Sequence, residues 1–590
     1  MSISARESNL GELLWDHSAY FVPVYQRDYS WDKEQTSSFW DTVQAAAREN
    51  TEYFLGSLVL VKTSAKQVLE VLDGQQRLAT LTILLAAFKA ELSLINTQAA
   101  QEAIHSIDMA LDVKVAQQLP AGIPLKKGIN THIRLNDRDC LFYEDLIRVK
   151  APSPVHRSHE LILKAYEFFG QKIRETVASG GLYSDVVHLW DDFEAALTDY
   201  LLYVRIEVSD IDTAQAVFES LNSAGLALTK ADLIKNYLLM ESRPNQQAAL
   251  ALWDTTVDAL GSLDLTQYIR TFCNAKFEFV RTDRLYAAVK GIAVSRPALS
   301  SQVKPDIFLK DLSQSAIIYA NLAAPDASVW TDPIVLRDLE DLRDLGATTV
   351  LVPLLAAYHA ACAPGSATSF KDVVAKFLTF QVRSIVVGPR TANEFETQYS
   401  EWAVALSKCA TTLAQVLGEL DASITDDKQF LSDMERFQVK RLKTARVLLA
   451  RINDHSAPKV GAAAGAGAGS ISDTIRNGKT IHVEHVIPQS STPYWDAVLK
   501  GDGLDREKVV DMFGNLTLLL GKRNIQVSNG PFIDQAGRAI SPPKLDKNAA
   551  YGQASGDINH LLANVSSFGK QELDDRQAQL AQWAVSTWPK

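Results

Sequence analysis

The residues best suited to chemistry lie near the C-terminus. His482-Val483-Glu484-His485-Val486-Ile487-Pro488-Gln489-Ser490 is followed by Gly514-Asn515-Leu516-Thr517-Leu518 and then by Asn524. Hydrolysing a phosphodiester requires a base that takes a proton from water and a cation that neutralises the oxyanion. An ordinary imidazole titrates near pH ~6.5 and is largely neutral at pH 7, so His485 is the candidate base. Glu484 and Asn524 offer the oxygen ligands that Mg²⁺, or Mn²⁺ in its place, prefers, with water completing the shell. Asn515 is expected to orient the imidazole, because a base works only when its ring and tautomer are fixed. His482 would share a strand face with Glu484 and point away from His485, and it is left out of the ligand set.

These groups need particular elements to carry them. A strand ending in Glu484-His485 would present both side chains together, Pro488 would turn the chain away, and a helix after the Gly514 block would return Asn524 to the same ion. Lys522 and Arg523 immediately precede Asn524 as candidate DNA contacts. Arg436, Lys440 and Lys443 have the i, i+4, i+7 spacing of one helix face, with Arg441, Arg446 and Arg451 nearby; that face suits DNA or merely solvent.

A second cluster sits near the N-terminus. In Asp73-Gly74-Gln75-Gln76-Arg77 an apolar strand passes through a glycine into a pattern of Leu78, Leu81, Leu84, Leu85 and Phe88 at helical spacing. A strand entering a helix through glycine offers unpaired N–H groups to an anion. Arg77 is expected to fork onto phosphate oxygens, and Asp73 to hold a metal or position a water. The plain alternative is a turn in which Asp73 caps the helix. Upstream, Val22-Pro23-Val24-Tyr25-Gln26-Arg27-Asp28-Tyr29-Ser30-Trp31 gathers an arginine and three aromatic rings within ten residues.

Length and composition bound the rest. A chain of 590 residues has room for three or four domains. With 47% hydrophobic and 22% charged residues it has ordinary globular composition. A net charge of −11 argues against indiscriminate coating of DNA. Four scattered cysteines, Cys140, Cys273, Cys362 and Cys409, suggest neither a disulfide framework nor a zinc cluster. No apolar run approaches a membrane span and no secretory pattern opens the chain, so a cytoplasmic protein without membrane contact is expected. The stretch from Val350 to Cys362 reads as a buried helix. The Ala/Gly tract after His455 reads as a linker.

The Glu-His-Val-Ile-Pro-Gln-Ser run resembles the HNH (ββα-metal) endonucleases, including the HNH domains of RNA-guided CRISPR nucleases. Together with the later Gly-Asn-Leu-Thr-Leu-Leu and Asn524 it is similar to the C-terminal domain of GmrSD-type modification-dependent restriction enzymes. The Tyr25-Gln26-Arg27 and Asp73–Arg77 segments look like the N-terminal domain of the GmrSD and SspE phage-restriction families, whose fold is similar to ParB and sulfiredoxin. Ala214–Gly225 with Leu228–Asn236 looks like a third block. The resemblance implies binding and hydrolysis of GTP or another NTP, with Tyr25, Gln26, Arg27, Asp73, Gly74, Gln75, Gln76 and Arg77 at the nucleotide and Asp73 in a catalytic role. No Walker loop is present, so the P-loop arrangement is not expected.

The expected fold class is α+β and multidomain. Residues 1–100 form a ParB/sulfiredoxin-like α/β domain and 101–240 its helical extension, followed by a helical middle (241–455), the linker (456–471) and an HNH domain (472–590). The expected function is a modification-dependent restriction endonuclease acting on modified or phage DNA under nucleotide control. Two alternatives stand beside it: a nucleotide-dependent DNA-binding regulator with a vestigial nuclease, and an RNA-cutting toxin. One HNH site cuts one strand, so nicking is the default. Homo-oligomerisation stays open, as does the modification that is read.

Overall fold

Strands form where β-branched and aromatic residues cluster. The computed structural model describes residues 3–65, 67–115, 123–125, 128–179, 185–209, 229–243, 245–455, 481–533, 547–552, 557–563 and 565–590. The first eight strands are β1 (Ile3–Asn9), β2 (Ala19–Phe21), β3 (Tyr53–Lys62), β4 (Val68–Asp73), β5 (Asp112–Val115), β6 (Gly128–Thr131), β7 (Ile133–Arg134) and β8 (Leu201–Val208). Six of them make one mixed sheet in the order β1-β8-β3-β4-β2-β7, while β5 and β6 pair separately. The β-branched, aromatic and apolar runs at 53–61, 68–72 and 201–206 all lie in the main sheet. The aromatic and β-branched stretch Tyr20–Tyr25 is a strand only as far as Phe21, because Pro23 has no N–H to donate and its carbonyl accepts from Gln26 N at 3.0 Å in a turn.

From β4 the chain passes through Gly74 into the helix Gln75–Leu92. This helix is apolar on every side and lies at the centre of its core, with Leu78, Leu81, Leu84, Leu85 and Phe88 all buried. Phe88 meets the edge of Trp190 at 5.4 Å, and Trp40 meets Phe193 at 5.2 Å.

Contacts divide the chain into two compact units, residues 1–254 with 293–309, and residues 255–292 with 310–590. The helices of the middle region beyond residue 310 therefore share one unit with the C-terminal strands. The Ala/Gly tract at 456–471 lies outside the described residues. The expected buried helix is present as Leu351–Ala361. Among the described residues no helix is long and apolar enough to cross a membrane.

Within the second unit, β9 (Ile481–His485) pairs antiparallel with β10 (Leu516–Leu520), placing His485 opposite Leu516 and Glu484 opposite Thr517. The helix Gly521–Val527 follows at once and packs on both strands. Beneath them lies a core that includes Val486, Ile487, Trp495, Phe532, Tyr551 and Phe568. The terminal helix Lys570–Thr587 packs against the helices Asp427–Met434 and Leu442–His455.

The basic helix face expected at Arg436, Lys440 and Lys443 does not form. One helix ends at Met434 and the next begins at Leu442. Between them the backbone runs in strand fashion, with Gln438 bridging Met512 and Val439 N donating to Asp511 O at 2.7 Å. Burying Val439 and packing Phe437 against Phe513 outweighs helical spacing of three exposed cations. Arg436 turns back onto Ser432 and Asp433.

Candidate active site

The end of β9 is held from two sides. Asn515 is fully buried; its Oδ1 accepts from Ile487 N at 2.7 Å, while its Nδ2 donates to Ile487 O and Val510 O, both at 3.0 Å. Its backbone carbonyl takes Val486 N at 2.9 Å. Asn515 thus does not touch the imidazole, as the sequence suggested it would. It fixes the backbone on which the chain leaves His485, so its influence on the ring is indirect.

The opposite grip comes from Lys547, which opens the helix Lys547–Gly552. Its Nζ is fully buried and donates to Glu484 Oε1 at 2.7 Å, His485 O at 2.6 Å and Val486 O at 2.9 Å. Burial pushes the Glu484 carboxyl up and the Lys547 ammonium down, and each charge opposes the other's shift. Burial also pushes the His485 imidazole below its ordinary value, with Asp511 pulling the other way. A ring held neutral in this way is fit to accept a proton. Gln489 Nε2 lies 3.4 Å from His485 Nε2.

A further layer holds the Asn515 segment. Arg576 Nη1 donates to Gly514 O and, at 2.8 Å, to Leu516 O, on either side of Asn515. Gln577 Oε1 accepts from Gly514 N. Gly514 is required by this approach, since a Cβ there would stand 3.0 Å from the Cβ and backbone N of Gln577. Sequence reasoning missed Lys547, Arg576 and Gln577. The signal for the last two is a charged and an amide side chain in the stripe Leu573, Leu580, Ala581 and Ala584 of an amphipathic helix; for Lys547 none exists.

Asn524 is half-buried on the helix Gly521–Val527, and its side-chain amide makes no hydrogen bond among the described residues. The side chains of Lys522 and Arg523, on the same helix, lie outside the described residues. The ring of His482 rests against Gly521, where a Cβ would come within 3.0 Å of Nε2. Among the described residues no three His, Cys, Asp or Glu side chains gather around one point. The oxygen donors Glu484 and Asn524, with water completing the shell, fit a hydrated Mg²⁺ far better than zinc.

In the first unit, Gly74 adopts φ +92° and begins the helix without a side-chain cap. A Cβ there would stand 2.8 Å from Leu58 Cδ1. The neighbouring side chains act mainly on backbone. Gln26 Nε2 donates to Leu72 O at 2.9 Å, Gln75 Nε2 to Arg27 O at 3.2 Å and Gln76 Nε2 to Asp28 O at 3.1 Å, while Ser30 N donates to Gln76 Oε1 at 2.8 Å. The motif therefore braces the loop that runs from Tyr25 to Trp31.

Two of its residues are placed differently from expectation. Tyr25 is a core residue whose hydroxyl donates to buried Glu70, and it is not in the lining of the two small cavities that the described residues form beside the motif. Arg77 donates Nη1 to Leu55 O and Nη2 to Ser57 O at 2.8 Å, 3.9 Å from Asp73 Oδ2, so its guanidinium is tied to β3 and does not project towards a phosphate. Burial pushes the Asp73 carboxyl up against the opposing pull of Arg77 and Arg27. The block Ala214–Gly225 lies outside the described residues.

The cavities beside this motif measure about 10 Å³, at Arg27, Gln75 and Gln76, and about 20 Å³, at Gly74 and Arg77. A nucleotide-sized ligand needs roughly 300 Å³ or more, so the described residues do not form a nucleotide pocket there. A cavity of about 600 Å³ lies at the end of the braced loop, between Trp31, Thr36, Leu161, Phe168, Lys164 and Lys172.

The two-stranded hairpin carries a carboxylate and a half-buried imidazole at the end of one strand, and the helix that follows carries the Asn524 amide. Residues 10–239 match the N-terminal domain of the GmrSD restriction endonuclease, and residues 424–583 match the C-terminal domain of GmrSD restriction endonucleases. The chain belongs to the GmrSD restriction endonuclease family, and as a restriction endonuclease it acts on DNA. No curated protein matches it.

Proposed function

We propose that this chain is a modification-dependent DNA endonuclease of anti-phage defence whose HNH site nicks one strand, under control of nucleotide bound by the N-terminal unit. The observation that carries the nuclease reading is the pair Glu484-His485 at the end of β9, gripped by Asn515 and Lys547. His485 takes the proton from the attacking water. Glu484 and Asn524 would hold Mg²⁺ or Mn²⁺, which when bound supplies positive charge to the scissile phosphate. Asn515 keeps the imidazole aimed by fixing the backbone of Ile487.

Modification dependence and GTP or NTP control are supported by the resemblance of the Tyr25–Arg27 and Asp73–Arg77 segments to phage-restriction families. In the described part of this unit a base with its phosphate fits the Trp31–Phe168 cavity by volume, with Lys164 and Lys172 at its rim.

The test is relaxation of supercoiled plasmid by wild type and His485→Ala, with Mg²⁺ or EDTA, on modified and unmodified DNA, with and without GTP. Metal-dependent nicking that is lost in the variant supports the nuclease. Cleavage indifferent to modification and nucleotide removes the control reading, and cleavage of RNA but not DNA reverses the substrate.

A further inference from the structure

Lys547 is an expensive way to fill space. Moving an ammonium into a protein interior costs several kcal/mol after relaxation, yet its side chain is 0% exposed and its Nζ lies only 5.8 Å from the centre of the Trp495 ring. An apolar side chain would fill the volume without that cost. The three Nζ protons go to three successive points on the chain: the Glu484 carboxylate, the His485 carbonyl and the Val486 carbonyl. Asn515 takes the next three groups, Val486 N, Ile487 N and Ile487 O. Between them the two residues fix the direction in which His485 leaves the strand.

The ammonium also claims Oε1 of Glu484. A divalent ion bound to this carboxylate meets a partner whose charge is already shared, with a like charge a few ångströms away. We propose that Lys547 is a positioning residue of the nuclease site that aims His485 and limits Glu484 to weak, single-oxygen coordination, so that the ion is held loosely and exchanges with solvent. The inference rests on the nuclease reading above, because it takes Glu484 as the metal ligand.

Two quantities separate this role from plain structural support. In Lys547→Met the repelling charge is gone, and Mn²⁺ binding, followed by electron paramagnetic resonance without DNA, should tighten at least tenfold. Nicking should meanwhile fall at least a hundredfold in kcat, with KM for plasmid changed less than threefold. Lys547→Arg keeps the charge and should bind Mn²⁺ within threefold of wild type. If Lys547→Met does not fold, Lys547→Gln, which retains N–H donors for the two carbonyls, carries the prediction of at least tenfold tighter Mn²⁺ binding, with a smaller loss in kcat.

Unchanged or weakened Mn²⁺ binding in the folded neutral variant overturns the inference. Glu484→Gln tells that failure from failure of the underlying reading. If it leaves Mn²⁺ binding intact, Glu484 is no ligand and the nuclease assignment falls; if it abolishes binding while Lys547→Met changes nothing, only the role of Lys547 falls.

Discussion

The side-chain amide of Asn515 pairs with the backbone of Ile487 as a neighbouring strand would, accepting from its N–H at 2.7 Å and donating to its carbonyl at 3.0 Å. Removing a buried amide leaves those groups unpaired, at about 1–3 kcal/mol each. Asn515→Ala should therefore lower the melting temperature and reduce nicking by at least a hundredfold, although no atom of its side chain meets the imidazole. Asn515→Asp retains an acceptor and loses both donors, and should fare no better. Full activity in Asn515→Ala would show that His485 needs no such clamp.

Gly514 tests the next layer out. A methyl group there would press on Gln577, and overpacking a tight interior costs about 1–3 kcal/mol. Gly514→Ala should be destabilised by that amount in denaturant titration. Combining it with Gln577→Ala should recover part of the loss, a coupling that strictly additive effects would contradict.

Asp341 offers a pH test. It is buried with Asp338 around the Arg451 guanidinium, and burial pushes its carboxyl from an ordinary 3.8 up to about 6. Between these values the folded chain holds a proton that the unfolded chain has released. The contribution of Asp341 to stability therefore falls as pH rises through this window, by up to ~3 kcal/mol. Asp341→Asn cannot ionise, so the melting temperature of wild type minus that of the variant should decrease from pH 4 to pH 6.5. A constant or rising difference would mean that the carboxyl is ionised throughout.

Trp31 tests where the N-terminal unit meets its ligand. Stacking of a base on an aromatic ring is worth ~1–3 kcal/mol, so Trp31→Ala should weaken binding of GTP or of modified DNA by about five- to a hundredfold in fluorescence anisotropy. Gln76→Ala, which releases Ser30 N and Asp28 O, should shift affinity in the same direction by less. Unchanged affinity for both ligands in Trp31→Ala would remove the cavity from the account.

Local features were legible in the sequence because local forces set them. The β-branched and aromatic residues at 53–61, the short apolar run at 68–72, and the glycine at 74 before a helical stripe each match the element that forms. The Glu484-His485 strand end was likewise readable. Lys547, Arg576 and Gln577 were not, because they reach the site from more than sixty residues downstream through tertiary packing alone. Tyr25 was expected at the nucleotide, but the chain leaving β2, which pairs with β4, carries it against Glu70 in the interior. The cations at 436, 440 and 443 had helical spacing, yet Phe437 and Val439 between them pack in strand fashion, and packing outweighs spacing.

The central claim is that His485 takes the proton from water, and chemical rescue tests it most directly. His485→Gly leaves room for a free base where the ring stood. With Mg²⁺ present, added imidazole should restore single-turnover nicking of modified plasmid, the restored rate rising with pH as imidazole loses its proton, and it should restore nothing in the double variant that also carries Glu484→Gln. Nicking by His485→Gly at the wild-type rate without imidazole, or a folded variant that imidazole never revives, would contradict the account.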